Sequence, residues 1–194
     1  MNIKLSAWYF LHDKPKFWND IRRKLHILKL EESQYYPECE RFYSDLDVAG
    51  KVVIDVGCDF GTTPIYFLRK GALKVVGLSK DKRYFHDPDY IHINVDEHPD
   101  ILPTLINRMK EMHFMGRYYF LSYGEQNPII LKSDCEGCEW NFTPEFIQTF
   151  YDWIIAVHNP VKNPDLLKYI QDNGTLIGDQ GKIEFGIYRK RNNE

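Results

Sequence analysis

The chain has 194 residues, of which 43 % are hydrophobic and 27 % charged, enough for one domain with a sizeable core and too few for two ordinary ones. Its formal net charge of −3 argues against a dedicated nucleic-acid binder. There is no recognisable signal peptide, and no apolar run reaches the roughly 18 residues that a membrane span needs. We therefore expect a soluble, cytoplasmic protein.

The amino-terminal region differs from the rest in charge and pattern. Residues 1–29 carry a net charge of +5 and the remainder −8. Phe17, Ile21 and Leu25 follow one another at helical spacing, so we predict a helical extension over residues 1–48. This basic arm is either a solvated helix face or a contact for an anionic partner such as RNA.

From residue 51 onward, strand and helix patterns alternate. This alternation predicts an α/β fold over residues 49–194, with a doubly wound, mostly parallel seven-stranded sheet. The last two strands follow each other without a helix, which predicts a C-terminal antiparallel hairpin. The predicted strands span 51–56, 73–78, 90–95, 129–133 and 153–157 ahead of the hairpin, and the predicted helices 63–70, 100–113, 144–149 and 164–172.

Helix 63–70 carries clear start and stop signals. A threonine at position 62 or 63 is expected to cap its amino terminus, with Pro64 in the first turn. Gly71 stands just past its predicted end, where a glycine is favoured.

A glycine loop follows the first predicted strand, in the stretch VVIDVGCDFG. Gly57 permits a tight turn at the strand end, and Gly61 permits close approach of a helix or ligand. The middle glycine of a dinucleotide loop is missing, and Asp59 would repel a phosphate, so NAD or FAD is disfavoured. S-adenosylmethionine, which is cationic and has no phosphate, matches better. Asp55 and Asp59 would complement its charge directly or through water, or Asp55 would only cap loop amides.

A second cluster of charges ends the predicted strand 129–133, in the stretch IILKSDCEGCEW. In a doubly wound sheet this strand lies beside the first, so Asp134 and Glu136 would face the same pocket as Gly57. Charges at such density are costly unless they are used or paired. The cluster therefore predicts a functional site where these two strands end.

Together the two stretches resemble class I S-adenosylmethionine-dependent methyltransferases, with their Rossmann-like sheet, and among them the FkbM-type family. The resemblance covers about residues 43–188. Asp59 stands where that family usually has Asn, and His158 matches the histidine that tends to end its fifth strand. The other matching positions are Asp55, Gly57 and Gly61 in the first stretch and Lys132, Asp134, Glu136, Gly137 and Glu139 in the second.

The resemblance implies a cofactor site built mainly from strand ends. Ser79 ends the second strand, where such enzymes usually have an acid that binds the ribose hydroxyls; Asp81 is the candidate substitute. The adenine contacts would lie in residues 94–97. The implied cofactor-binding residues are Asp55, Gly57, Cys58, Asp59, Gly61, Ser79, Asp81 and Asp96.

Methyl transfer also requires a group that removes the acceptor's proton, and Asp134, Glu136 and His158 are the candidates. No D-P-P-Y or N-P-P-F stretch follows the fourth strand, which favours a hydroxyl acceptor such as a sugar or another small molecule. The same three residues could instead hold a divalent ion. Two different functions are also compatible with the sequence, namely an RNA methyltransferase that uses the basic arm and a non-catalytic adapter with the same fold.

The four cysteines give a weaker signal. Cys135 and Cys138 have CxxC spacing, but one such pair without a second is weak evidence for a zinc or redox site. Under oxidising conditions either a Cys58–Cys135 or a Cys135–Cys138 disulfide is compatible with adjacent strand ends.

Overall fold

A computed structural model describes residues 36–58, 61–80, 89–97, 99–101, 103–104, 128–178 and 184–191. Several sequence predictions lie outside these residues. They are the helical pattern beginning at Phe17, most of the predicted helix 100–113, and the candidate cofactor residues Asp59 and Asp81.

The described strands form one seven-stranded sheet in the order β3-β2-β1-β4-β5-β7-β6. β1 to β5 run parallel, and β7 pairs antiparallel with both β5 and β6. The predicted fold class, a doubly wound, mostly parallel sheet closed by an antiparallel hairpin, is confirmed. The strands are β1 Val52–Val56, β2 Lys74–Ser79, β3 Tyr90–Asn94, β4 Ile129–Ser133, β5 Asp152–His158, β6 Gly174–Gly178 and β7 Glu184–Lys190.

Helices connect these strands and begin at sequence signals. Thr143 Oγ1 accepts a hydrogen bond from the backbone N–H of Phe146, 3.3 Å away, and Asn163 Oδ1 accepts one from Leu166, 3.1 Å away. Each side chain satisfies an amide that the first helical turn leaves unpaired. The described helices are α1 Tyr36–Tyr43, α2 Thr62–Arg69, α3 Pro144–Gln148, α4 Pro164–Asn173 and the 3-10 helix Cys138–Asn141.

The start of α2 differs from the prediction. Gly61, with φ of 94°, precedes the helix, and no side chain caps it. Thr63 donates its hydroxyl hydrogen to Asp55 Oδ2 instead. The predicted threonine cap is therefore wrong, because the buried carboxylate of the neighbouring strand is the partner of this hydroxyl. Gly71, with φ of 92°, follows the helix as predicted.

Two apolar layers cover the sheet, since successive strand residues point to opposite faces. One layer places Val53 and Ile130 against Tyr66 of α2 and Phe42 of α1. The other joins strand residues to α3 and α4, and includes Leu131, Ile155, Phe146, Ile147, Leu166 and Ile170. Residues of α1 therefore pack in the same core as the sheet. The predicted domain boundary at residue 48 stays a prediction.

The carboxyl ends of β1 and β4 lie side by side. Asp55 is opposite Lys132 in the register of these strands. This edge is the place where doubly wound sheets collect their ligands. Among the described residues, no helix is both long enough and apolar enough to span a bilayer.

Candidate functional site

Gly57 lies directly against the loop that follows β4. A side chain could not be accommodated, because a Cβ at Gly57 would lie 1.8 Å from the carbonyl oxygen of Asp134. The backbone there has φ of 81°, which glycine adopts at no steric cost. Asp134 in turn donates its backbone N–H to Val56 O at 2.9 Å. The two stretches singled out in the sequence therefore meet through their backbones.

Beneath this contact lies a sealed ion pair. Lys132 Nζ is 2.9 Å from Asp55 Oδ1, and the two side chains are 2 % and 0 % exposed. The same ammonium donates to Gly57 O at 2.9 Å. Burial opposes the charge of Lys132, but the surrounding interactions, that with Asp55 foremost, together outweigh it and hold the lysine pKa above its usual value. The ring of Tyr43, from α1, lies 5.9 Å from the ammonium.

Asp55 therefore finds its partners within the protein. Its two oxygens face Lys132 and the hydroxyl of Thr63. From the sequence, Asp55 was expected to complement the charge of a ligand directly or through water, or to cap loop amides. Among the described residues its partners are Lys132 and Thr63, and its contact with a ligand stays a prediction. The role that this geometry supports is indirect, because Asp55 fixes Lys132, and Lys132 fixes the carbonyl of Gly57.

A second charged cluster lies at the ends of β4 and β5. His158 Nδ1 is 3.0 Å and its backbone nitrogen 2.8 Å from Glu139 Oε1. Its Nε2 is 3.4 Å from Asp134 Oδ1. Glu139 is fully buried and also accepts the N–H of Gly137 at 2.9 Å. The side chain of Asp134 is 32 % exposed, so this cluster opens to solvent at one carboxylate.

The protonation states in this cluster follow from its contacts. Burial disfavours the imidazolium, but the hydrogen bonds with Asp134 and Glu139 outweigh it and raise the pKa of His158 to about 10. Burial likewise opposes the charge of Asp134, yet His158 and Lys132 together leave the pKa of Asp134 below its usual value. Near neutral pH, His158 is therefore a cation and Asp134 an anion. The imidazole orients Asp134 and has no lone pair to accept a proton.

Glu136, the third predicted catalytic residue, is exposed and has a left-handed backbone with φ of 52°. Among the described residues, the group of potential metal-ligand atoms lying within 4.8 Å of one another consists of Cys135, Cys138 and Glu139. The structure thus does not bring Asp134, Glu136 and His158 together as a metal site.

The end of β3 forms an ordered turn beside Ser79. Asn94 Oδ1 accepts the backbone N–H groups of Asp96 at 2.9 Å and Glu97 at 3.1 Å. Its amide donates to Lys80 O at 3.1 Å and so joins the ends of β2 and β3. The sequence analysis named Asn94 only as one of residues 94–97, the stretch expected to contact adenine. Its role in the turn could have been anticipated, because asparagine side chains often hydrogen-bond to the backbone two residues further along. Ser79 is buried, and Asp96 is exposed.

The cysteines show which of the two possible disulfides forms. Cys135 and Cys138 are bonded to each other, and Cys58 remains a buried thiol. Cys58 Sγ lies 3.5 Å from the hydroxyl of Tyr90 and 3.9 Å from His92 Nδ1. Cys58 therefore points into the protein, away from the disulfide.

Comparison with known proteins finds relatives among archaeal viruses. The chain is 30 % identical over 147 residues to uncharacterized protein 158B of Sulfolobus islandicus rod-shaped virus 1, covering 74 % of this chain and 82 % of that protein. It is 25 % identical over 154 residues to uncharacterized protein 65 of Sulfolobus islandicus filamentous virus (isolate Iceland/Hveragerdi), covering 78 % and 89 %. No protein-family model matches the chain.

Solved structures with a similar fold include methyltransferases. Magnesium protoporphyrin IX methyltransferase from Synechocystis PCC 6803, with bound SAM, aligns over 97 % of this chain and 96 % of its own, at 13 % identity and a TM-score of 0.43. Aeropyrum pernix fibrillarin, in complex with S-adenosyl-L-methionine, aligns over 75 % and 69 %, at 12 % identity and a TM-score of 0.43. Likeness at this level carries no argument about the site.

Proposed function

We propose that this chain, which belongs to the same family as uncharacterized protein 158B of Sulfolobus islandicus rod-shaped virus 1, is an S-adenosylmethionine-dependent methyltransferase. Neither relative's name states an activity, so the support comes from the residues of this chain. The observation that carries the proposal is the contact between Gly57 and the backbone of Asp134, which joins the glycine loop after β1 to the residue that carries an ionised carboxylate after β4.

The residues present fit this cofactor. A Cβ at Gly57 would collide with the carbonyl group of Asp134, so glycine is what allows the two strand ends to meet, and the loop around Gly57 and Gly61 is turned by two positive φ angles. The ion pair beneath the loop has no net charge, while Asp134 and Asp96 remain as acids at the strand ends. Ser79 and the turn after β3 would hold the cofactor, which has cationic groups and no phosphate. When bound, it supplies an electrophilic methyl group.

Asp134 is the residue that we propose to receive the acceptor's proton. Because its pKa is low, it is ionised at neutral pH and accepts a hydrogen bond from a hydroxyl. A low pKa makes it a weak base towards a neutral hydroxyl. The hydroxyl oxygen becomes much more acidic as its new bond to carbon forms, so a weak base is sufficient late in the transfer. His158, held by Glu139, fixes the direction of the carboxylate.

For the acceptor, we propose a hydroxyl group on a sugar or another small molecule. An oriented carboxylate suits an acceptor that loses a proton as it is methylated. The resemblance of the two stretches to FkbM-type enzymes supports the same class. Exposed Glu136, further along the same loop, is the candidate contact for the hydroxyls of such an acceptor.

Titration calorimetry with S-adenosylmethionine and S-adenosylhomocysteine tests the cofactor site. We expect a dissociation constant on the order of 1–100 µM for the wild type. In Gly57→Ala, the new Cβ must displace the backbone of Asp134, so we expect binding to fall at least about tenfold.

Gly50→Ala is the matched control. Gly50 has φ of 69°, but a Cβ there would meet nothing within 4 Å. Both variants therefore introduce a left-handed alanine, at about 1 kcal/mol, and only one disturbs the strand ends. Equal binding by both variants would contradict the proposed site. A folded wild type that binds neither compound up to millimolar concentration would favour the non-catalytic adapter. Binding of RNA that weakens steeply with salt would support the RNA methyltransferase.

A further inference from the structure

The loop between β4 and the 3-10 helix places two sulfurs and a carboxylate together. Ligand atoms of Cys135, Cys138 and Glu139 all lie within 4.8 Å of one another. The two cysteines are bonded as a disulfide and are partly exposed, while Glu139 is fully buried. The methyl-transfer proposal uses none of these three side chains as a ligand.

The spacing of these atoms fits a tetrahedral metal ion. Cys135 Sγ lies 3.5 Å from Glu139 Oε2. With bond lengths of ~2.3 Å for zinc to sulfur and ~2.0–2.2 Å for zinc to oxygen, two tetrahedral ligands of these kinds lie about 3.5 Å apart. Cys135 and Glu139 thus already have the separation of ligands that share an ion. Opening the disulfide frees the second sulfur, on Cys138, three residues further along.

The surroundings support the carboxylate as a metal ligand. Glu139 Oε2 accepts the N–H of Gly137 at 2.9 Å, and Oε1 accepts bonds from His158. Metal-binding carboxylates are commonly held in place by such hydrogen bonds. Two thiolates and one carboxylate leave a divalent ion with a net charge of only −1 at the site.

The backbone between the cysteines is shaped to bring them to one side. Glu136 and Gly137 both have positive φ, 52° and 106°. Two consecutive left-handed residues reverse the chain within the CxxC stretch, so both sulfurs face Glu139. A glycine at the second position keeps this turn inexpensive.

We propose that the reduced chain binds one thiophilic divalent cation, such as Zn²⁺, through Cys135, Cys138 and Glu139, with the fourth position left to water or a bound ligand. The disulfide is the closed form of the same site. A dithiol reductant supplies two electrons and two protons, which convert the disulfide into two thiols while the reductant becomes a cyclic disulfide. Metal binding then releases the two thiol protons to water.

The test uses metal alone on the full chain, so its outcome is independent of cofactor binding. Protein reduced with a dithiol and desalted without oxygen is titrated with Zn²⁺, and its oxidised form is titrated in parallel. We expect one ion per reduced chain, with a dissociation constant of about 1 µM or tighter, and at least about 100-fold weaker binding by the oxidised chain. Substitution by Co²⁺ should give the charge-transfer absorption of a thiolate-bound ion.

Variants locate the ligands. Cys135→Ser should weaken Zn²⁺ binding at least about 100-fold and Glu139→Gln about tenfold. Cys39→Ala is the control and should bind as the wild type does, because Cys39 is buried in the core and burial raises the pKa of its thiol to about 12. Equal zinc binding by the oxidised and reduced wild type would overturn the proposal, and this comparison needs no substitution. So would reduced protein that binds Co²⁺ without thiolate absorption.

Discussion

Two acid–cation pairs, Lys132–Asp55 and His158–Asp134, lie near the carboxyl ends of neighbouring strands and differ in their exposure to solvent. Lys132 and Asp55 are 2 % and 0 % exposed, whereas His158 and Asp134 are 4 % and 32 % exposed. The first pair is closed on every side by protein and holds the glycine loop from below. The second is closed at the imidazole and open at the carboxylate. Asp134 is the more exposed of the two acids, although the sequence places each of them near the end of a buried strand.

Because the two pairs differ in exposure, we expect them to contribute differently to the stability of the fold. When a fully buried charge loses its partner, water cannot reach it to replace the lost interaction, so breaking such a pair is costly. A carboxylate at an opening keeps part of its hydration, and its interactions are worth less to stability. Stability should therefore depend on the first pair and proton transfer on the second, and the following tests are ordered by the size of the expected effect.

The largest effect is expected from Lys132→Met. This change leaves Asp55 charged and fully buried, so we expect a loss of about 3–5 kcal/mol in the free energy of unfolding, measured by urea denaturation. The double variant Lys132→Met with Asp55→Asn should recover part of that loss, because no isolated charge remains. A single variant as stable as the wild type would show that the pair is not sealed in solution.

An intermediate effect is expected from the titration of His158, in oxidised protein with a chelator present. Its pKa is about 10 in the folded chain, above the ordinary histidine value of 6.5. Because the folded value is the higher, its contribution to stability is complete below pH 6.5 and is lost as the pH rises through 10. We expect His158→Gln to be less stable than the wild type by about 2 kcal/mol at pH 6.

The stability difference between wild type and His158→Gln should then shrink towards pH 10. Other groups titrate in the same range, but they are present in both proteins and cancel in the difference. A difference that stays constant over this range would show that His158 does not hold an extra proton in the folded state.

A smaller effect on stability is expected from Asp134→Asn. The carboxylate is partly exposed and the substitution keeps its shape, so the free energy of unfolding should change by less than about 1 kcal/mol. Methyl transfer to a hydroxyl acceptor should nevertheless fall on the order of 100-fold, since the proton acceptor is lost. A loss of stability as large as that of Lys132→Met would show that Asp134, like Asp55, belongs to a buried pair that stabilises the fold, and the two pairs would then not differ in their roles.

The smallest effect is expected in the labelling of cysteines, where two residues are again buried and two are partly exposed. Cys39 and Cys58 are 3 % and 1 % exposed. We therefore expect no alkylation of the native, oxidised chain by iodoacetamide, followed by mass spectrometry. After mild reduction, two labels should appear, on Cys135 and Cys138. Labelling of Cys58 in the native chain would show that the loop after β1 opens.

Much of the fold could be predicted because it depends on local pattern. Strand β4 spans Ile129–Ser133, as predicted, and the C-terminal hairpin followed from two strand patterns without a helix between them. The convergence of the two stretches could also be predicted from the sequence. A glycine after one buried strand and acids after another must converge when the strands are parallel neighbours.

Partner choice could not be predicted, because it depends on distance across the sheet. Thr63 looked like a cap for its own helix and instead bonds to Asp55. The sequence did not show that Asp55 pairs with Lys132, which is 77 positions away in sequence and opposite it in register. Cys58 and Cys135 follow neighbouring strands, yet Cys58 turns towards Tyr90.

The sequence by itself determined the alternation of strands and helices, the glycine that must have no side chain, and the set of acids at the strand ends, because periodicity and backbone freedom are local properties. Only the tertiary structure decided which of those acids is neutralised and which is open. Burial and pairing set the charge of a carboxylate, and both depend on residues brought together from distant parts of the chain.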